Sequence, residues 1–267
     1  VAEIGIIGGS GFYQLLGGGR ELTVQTPYGA ASDVISVGQL AGREVAFIPR
    51  HGRRHHLPPH AIPYRANIFA LKELGVLQII GVTAVGALTE AHEVGDFALA
   101  DQLVDFTHGT RADTYYDGPI TTHVGFGEPY CRQMRETAQA AAAKQGIECH
   151  STATIVVTNG PRFSTRAESA FFAAQGWHLE NMTQYPEAVL ARELALSYLN
   201  ISLVTNSHVR ARQSGEGELA SAEDVIAVLR QRRDDLLALI ERIAGTLPAG
   251  EERPQFIREA LQNARWV

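Results

Sequence analysis

Three arginines and three histidines fall within the ten residues 47–56, "FIPRHGRRHH", directly behind a short apolar run. A guanidinium offers a planar fork of donors to a phosphate-like anion, and a neighbouring imidazole can add one more. The physical candidates for such a cluster are a metal, a nucleic acid and a small anion. Adjacent arginines repel a cation, and no nearby Asp or Glu completes a ligand set, which counts against a metal. The formal net charge of −6 counts against a general nucleic-acid binder, which shows a basic stripe. A small anion is left. Arg50 and His51 sit closest to the strand end and carry this reading, whereas Arg53, Arg54 and His56 read as a solvated basic loop.

Other strand ends carry groups that could meet the same anion. The first strand runs into "IIGGSGFY", where a glycine turn lets backbone N–H groups approach an anion and Ser10 adds a hydroxyl. The dinucleotide fingerprint fits poorly, because Gln14 stands where its third glycine should be, and no Lys-Ser/Thr pair completes a P-loop. "IIGVTAVGAL" supplies Thr83 and Gly86, and "NMTQYPEAVLARE" supplies Met182 and Thr183. Each hydroxyl alone reads as a cap or turn residue. With Arg50, they make an oxyanion cradle. "TNGPRFSTRAES" places Phe163 ahead of a helix, either to stack on a flat ring or to pack in the core. Asn206 and His208 in "VTNSHV" can read a heterocycle edge or cap a turn.

Short β-rich apolar runs alternate with helix-period segments and must position these groups. Strands are expected at Ile4–Ile7, Val45–Ile48, Leu77–Val82, Ala98–Asp105, Ala153–Val157 and Ile201–Thr205, apolar on both faces as covered central strands are. Helices are expected at Tyr64–Leu74, Arg132–Gln145, Thr165–Gln175, Glu187–Leu199 and Ala222–Ala244, the last with a capping box from Ser221 and Asp224. The alternation implies an α/β fold, a central mixed β-sheet flanked by helices, in which ligands sit at strand ends. Nothing resembles a linker or repeat, so residues 1–267 read as a single domain. Two cysteines imply no disulfide framework. The chain shows neither a signal-peptide pattern nor an apolar run of membrane-spanning length, and it reads as cytoplasmic, without a membrane partner.

Several segments in this order resemble the trimeric purine nucleoside phosphorylases, most closely the S-methyl-5′-thioadenosine phosphorylase branch. They are "IGIIGGSGFY", "TPYGAASD", "PRHGRRHHLPPH", "YRANI", "GPRFSTRAES", "NMTQYPEAVLARE" and "VTN", spanning about residues 3–206. The resemblance implies the nucleoside phosphorylase fold and a reaction in which phosphate attacks C1′ of a purine nucleoside, giving free base and a pentose 1-phosphate. It places the phosphate on Ser10, Arg50, His51, Thr83, the backbone of Ala84, and Thr183. It places Met182 along the ribose, Phe163 and Ser164 at the base, and Val85 and Gly86 beside sugar and base. His55 and His123 fall near the 5′ end, the latter reaching in from a neighbouring subunit of a homotrimer. Inorganic phosphate is then a co-substrate, and neither a metal nor an organic cofactor is needed.

The chain departs from that branch at the base. Asn206-Ser207-His208 replaces an Asp-x-Asp pair suited to a 6-aminopurine, and an Asn at the first position is a feature of the inosine- and guanosine-cleaving branch. That branch also has a Glu after the Phe, where this chain keeps Ser164. Asn206 can donate to N7 or O6 but cannot act as an acid, which points to 6-oxopurines. His208 could stand in for the lost acid if it points inward; otherwise it belongs to a loop and takes no part. The rival functions are a nucleosidase using water, a non-enzymatic nucleotide-binding module, and a metal-dependent hydrolase built on the histidines.

Overall fold

The computed structural model describes residues 2–12, 15 and 16, 19–209 and 221–248. Eleven strands form one mixed sheet. The apolar run behind the first glycine turn is β1 (Ile4–Gly8), and β2 (Arg20–Leu22), β3 (Ile35–Leu40) and β4 (Arg43–Pro49) follow it. Helix α1 (Tyr64–Glu73) leads into β5 (Gln78–Ala87), and then come β6 (Phe97–Leu99) and β7 (Gln102–Phe106). Beyond α2 (Arg132–Lys144) lie β8 (Cys149–His150), β9 (Thr154–Thr158) and α3 (Arg166–Ala174). The chain continues through β10 (Leu179–Asn181), α4 (Gln184–Glu193) and β11 (Ser197–Ser207) to α5 (Ala222–Gln231) and α6 (Arg233–Thr246).

Strand side chains alternate between two cores. In β1, Ile4 and Ile6 join the cluster that includes Met134, Leu239 and Ile240, whereas Ile7 joins the cluster that includes Ile68, Leu71 and Leu190. Both faces are thus covered by helices, as the doubly apolar runs require.

The strands expected over Leu77–Val82 and Ile201–Thr205 run longer, as β5 and β11, and three further elements end or break elsewhere. The helix expected over Glu187–Leu199 is α4, which ends at Glu193. Ala195 takes a left-handed conformation (φ 61°), and the β-rich "SYLNISLVTNS" continues as β11. The strand expected over Ala98–Asp105 is two strands, because β6 pairs with β8 and β11 while β7 pairs with β9. The helix expected over Ala222–Ala244 breaks at Arg232 into α5 and α6. The Ser221–Asp224 capping box forms, and a second one, Thr165–Glu168, starts α3.

The central strand, β5, positions the chemistry. On one side it runs parallel to β11 along its whole length. On the other, β1 pairs with Gln78 to Gly81, and β10 arrives antiparallel only at Gly86 and Ala87. Val82 to Val85 therefore have no strand partner on that edge. The carbonyls of Val82 and Ala84 accept instead from Arg50 Nη1 (2.8 Å) and Asn181 Nδ2 (3.3 Å). Backbone alternation aims the Ala84 N–H into the same gap. In β11, a register shift between Val204 and Asn206 marks a bulge at Thr205. Without it, Thr205 and Asn206 would face opposite sides of the sheet.

Candidate active site

The gap beside β5 opens into a cavity of about 440 Å³, lined from six strand ends and from α5. The residues expected from the sequence to meet the anion come together here. Ser10, Arg50, His51, Thr83, Ala84 and Thr183 all line the cavity, although they come from four separate stretches of chain. Thr83 belongs to a closed buried ring: Asn200 Nδ2 donates to its Oγ1 (2.9 Å), Ser202 Oγ lies 3.2 Å from it, and Ser202 donates back to Asn200 Oδ1 (2.7 Å). Asn181 Oδ1 accepts the backbone N–H groups of Thr183 and Gln184 (2.7 and 2.8 Å) and so fixes Thr183 at the start of α4.

Arg50 is fully buried, and its charge has a fixed partner. Nε and Nη2 donate to the two oxygens of Glu187 at 2.6 and 2.7 Å, a bidentate pair. Burial alone would lower its pKa, but Glu187 outweighs burial and raises it, so the guanidinium stays charged. Three of its five N–H groups are committed to Glu187 and the Val82 carbonyl, and the remaining two are what it can offer an anion. Glu187 is itself held by the Tyr198 hydroxyl, which accepts from Gln184 Nε2 at 3.2 Å.

His51 differs from the expected donor. Its Nδ1 lies 2.8 Å from the Leu57 carbonyl, which can only accept, so Nδ1 carries the proton. Burial, opposed by that hydrogen bond and helped by the nearby Arg50 charge, pushes its pKa down to about 4. The ring is therefore neutral at pH 7, with Nε2 a lone-pair acceptor suited to the P–O–H of a hydrogenphosphate. His55 stacks on it, ring centroids 4.5 Å apart. Arg53 turns outward to Asp33 and Glu21 at 3.0 Å, in keeping with a solvated loop.

The residues expected at the base line the same cavity. Phe163 lines it on a loop pinned by Arg162, which makes a bidentate pair with Glu168 (2.7 and 2.8 Å). Val85, Gly86 and Met182 line the middle, and Thr205, Asn206 and His208 the far wall. His208 is buried and lines the cavity, with Nε2 3.1 Å from Oε2 of Glu180, rather than lying in a mobile loop. Ser164, expected at the base, sits one layer back. It does not line the cavity, because its hydroxyl is turned to Glu180 Oε1. His123 is exposed and does not line the cavity of its own chain.

The model of the phosphorylase superfamily matches residues 3–244. This chain belongs to the phosphorylase superfamily. It is 44% identical to an S-methyl-5′-thioadenosine phosphorylase of Thermofilum pendens, with 98% of each chain covered. It is 46% identical to a purine nucleoside phosphorylase of Streptomyces coelicolor, covering 94% of this chain and 91% of the relative. Among solved structures, a methylthioadenosine phosphorylase of Schistosoma mansoni in complex with adenine superposes with a TM-score of 0.90 at 32% identity, covering 99% of both chains. The phosphorylase fold read from the sequence is the observed one.

Sequence reasoning missed Glu180, Asn181 and Glu187, as well as the apolar wall of Ala222, Val225 and Ile226 from α5. Glu187 could have been found, since it stands directly before the apolar run "AVLA" of α4, where a buried carboxylate calls for a cation. Glu180 had no such signal.

Two outcomes are expected. A Cβ at Gly81 would collide with the Tyr198 hydroxyl oxygen and lie 3.3 Å from Glu187 Oε1. Gly81→Ala should therefore destabilise the fold by about 1–3 kcal/mol, as overpacking does, and weaken phosphate binding as Arg50 loses its fixed partner; denaturant titration and calorimetry measure the two. The second outcome follows from His51. Between pH 6.5 and about 4 the unfolded chain takes up a proton on this residue that the folded protein excludes, so stability falls as pH falls through that window. The contribution is about 3 kcal/mol. His92, pushed down to about 4 mainly by burial and then by His150 and His178, adds a similar slope elsewhere. His51→Asn, which keeps a donor for Leu57, should remove about half of the combined loss in unfolding titrations across this range.

Proposed function

We propose that this protein catalyses phosphorolysis of purine nucleosides of the 5′-methylthio type, releasing the free purine and 5-methylthioribose 1-phosphate. The observation that carries the reading is one cavity lined by anion donors together with an aromatic suited to stacking, heterocycle donors and Met182. Phosphate on Arg50, Thr183 and the Ala84 N–H, with the Thr83 hydroxyl turning from Ser202 to donate to it, approaches C1′ as the C1′–N9 bond breaks. The sugar gains cationic character, which the arriving anion stabilises, so the protein contributes chiefly position and fixed dipoles. The bond's electron pair leaves with the purine, and a phosphate oxygen forms the new bond to C1′.

Ala222, Val225 and Ile226 form an apolar wall. It suits a thioether, whereas a 5′-hydroxyl there would lose hydrogen bonds to water without replacement. His123, exposed on its own chain, is read as completing the 5′ end of a neighbour's site in a homotrimer. No metal or organic cofactor enters the reaction. The relatives named methylthioadenosine phosphorylases and the one named a purine nucleoside phosphorylase support the same chemistry.

Chromatography of a nucleoside incubated with and without phosphate tests the reaction. Base release is expected only with phosphate, and equal release without it would point to a nucleosidase. Thr183→Val removes a hydroxyl donor to an anion and should raise the phosphate KM about tenfold while the nucleoside KM changes little. His123→Ala should weaken the apparent affinity for methylthio nucleosides and leave the phosphate KM intact. A fully active monomer in sedimentation at assay concentration would remove the shared-site part of the proposal.

A further inference from the structure

Asn200 and Ser202 are fully buried in β11, and neither lines the cavity. They stand two residues apart on one face of a central strand, where apolar side chains are the rule. The opposite face of the same stretch follows that rule, with Leu199, Ile201 and Leu203 in the core. A buried polar pair costs stability unless its atoms are satisfied, and breaks in a local pattern gather where a structure serves function. Here the pair meets one residue of the anion cradle. Thr83 is 2% exposed and does line the cavity.

The hydrogens of this ring can be placed one by one from a fixed end. The Gly81 carbonyl can only accept, and Asn200 Nδ2 lies 3.3 Å from it, so the amide points its nitrogen toward β5. The same nitrogen donates to Thr83 Oγ1 at 2.9 Å. Asn200 Oδ1 then needs a donor, and it takes the single hydrogen of Ser202 at 2.7 Å. Ser202 has none left for Thr83. In the 3.2 Å contact between the two hydroxyls, Thr83 is therefore the donor. Hydroxyl pairs bond best at about 2.7–2.8 Å, so this contact is weak. The Thr83 hydrogen is the one loosely held member of an otherwise committed ring.

We propose that Asn200 and Ser202 are positioning residues that make the Thr83 hydroxyl a one-way donor to the attacking anion. A free hydroxyl presents either its hydrogen or a lone pair. With the Asn200 amide filling one lone pair and the hydrogen only resting on Ser202, Thr83 gives that hydrogen to an oxyanion without reordering its neighbours. Ser202 keeps its own bond to Asn200 throughout, so the exchange leaves no buried hydrogen unpaired. The proposal rests on the phosphorolytic reading above, which supplies the anion.

The test reads the phosphate KM at saturating nucleoside, together with calorimetric binding of inorganic phosphate, which needs no turnover. Asn200→Asp replaces a donor by a carboxylate that can only accept and so captures the Thr83 hydrogen. Phosphate KM and Kd should rise about tenfold or more, with the nucleoside KM little changed. In a Thr83→Val background there is no hydroxyl to capture, and the same substitution should cost far less, whereas charge repulsion alone would cost the same in both. Ser202→Ala removes the competing acceptor while Gly81 still orients Asn200, and should tighten phosphate about two- to fivefold. A packing role would instead weaken binding in both variants. Should Asn200→Asp not fold, Ser202→Ala decides alone. Equal factors for Asn200→Asp in the two backgrounds, or a phosphate Kd that rises in Ser202→Ala, would overturn the ring's role while phosphate-dependent cleavage stood. Calorimetric binding that follows the expected pattern without phosphate-dependent cleavage would support the ring and overturn the phosphorolytic function.

Discussion

Between Val82 and Val85, the edge of β5 gives up its ladder hydrogen bonds, and the backbone groups freed there have to be satisfied by something other than a strand. That requirement organises the whole site. Arg50 and Asn181 reach in to cap two carbonyls, and each brings a second task with it: Arg50 carries charge to the anion end, and Asn181 fixes the start of α4. The Ala84 N–H is left as a donor aimed at the space that a neighbouring strand would have filled. A continuous sheet would have no cavity, and a sheet ending at Val82 would have no second wall.

Charge in this gap is largely compensated before any ligand arrives. Arg50 is buried against Glu187, and His51 is neutral at pH 7, so the anion end is chiefly an array of fixed N–H and O–H dipoles around one balanced guanidinium. Removing either partner of such a pair strands the other charge in a low-dielectric interior. The pair therefore locks geometry more than it supplies attraction. The basic run that stands out in the sequence divides accordingly: Arg50 and His51 turn inward, while Arg53 pairs with surface acids.

The anion end was legible in the sequence because it lies at strand ends, and apolar runs ending in glycine or polar residues mark those ends clearly. Ser10, Arg50, Thr83 and Thr183 were all found in this way. The base end was less legible. The strand β10 has three residues, too few to show a period, and Glu180 is held there by contacts from β9, the loop before α3 and the end of β11. No local pattern encodes a carboxylate whose partners are 16, 22 and 28 positions away in the chain. Helix bounds failed for a related reason. Around Ala195, helical and extended propensities are close, and pairing with β5 decided the outcome.

The bulge at Thr205 separates two histories within one cavity. Upstream of it, β11 is tied to β5 residue by residue, and Asn200 and Ser202 support Thr83 through that register. Downstream, Asn206 pairs with β5 in the shifted register, and His208 faces Glu180, which accepts in turn from Ser164. Substitutions among these four positions change what the far wall recognises without shifting a hydrogen bond of the anion cradle. A lineage can therefore exchange its leaving group by replacing a small co-varying set while its attacking group stays the same.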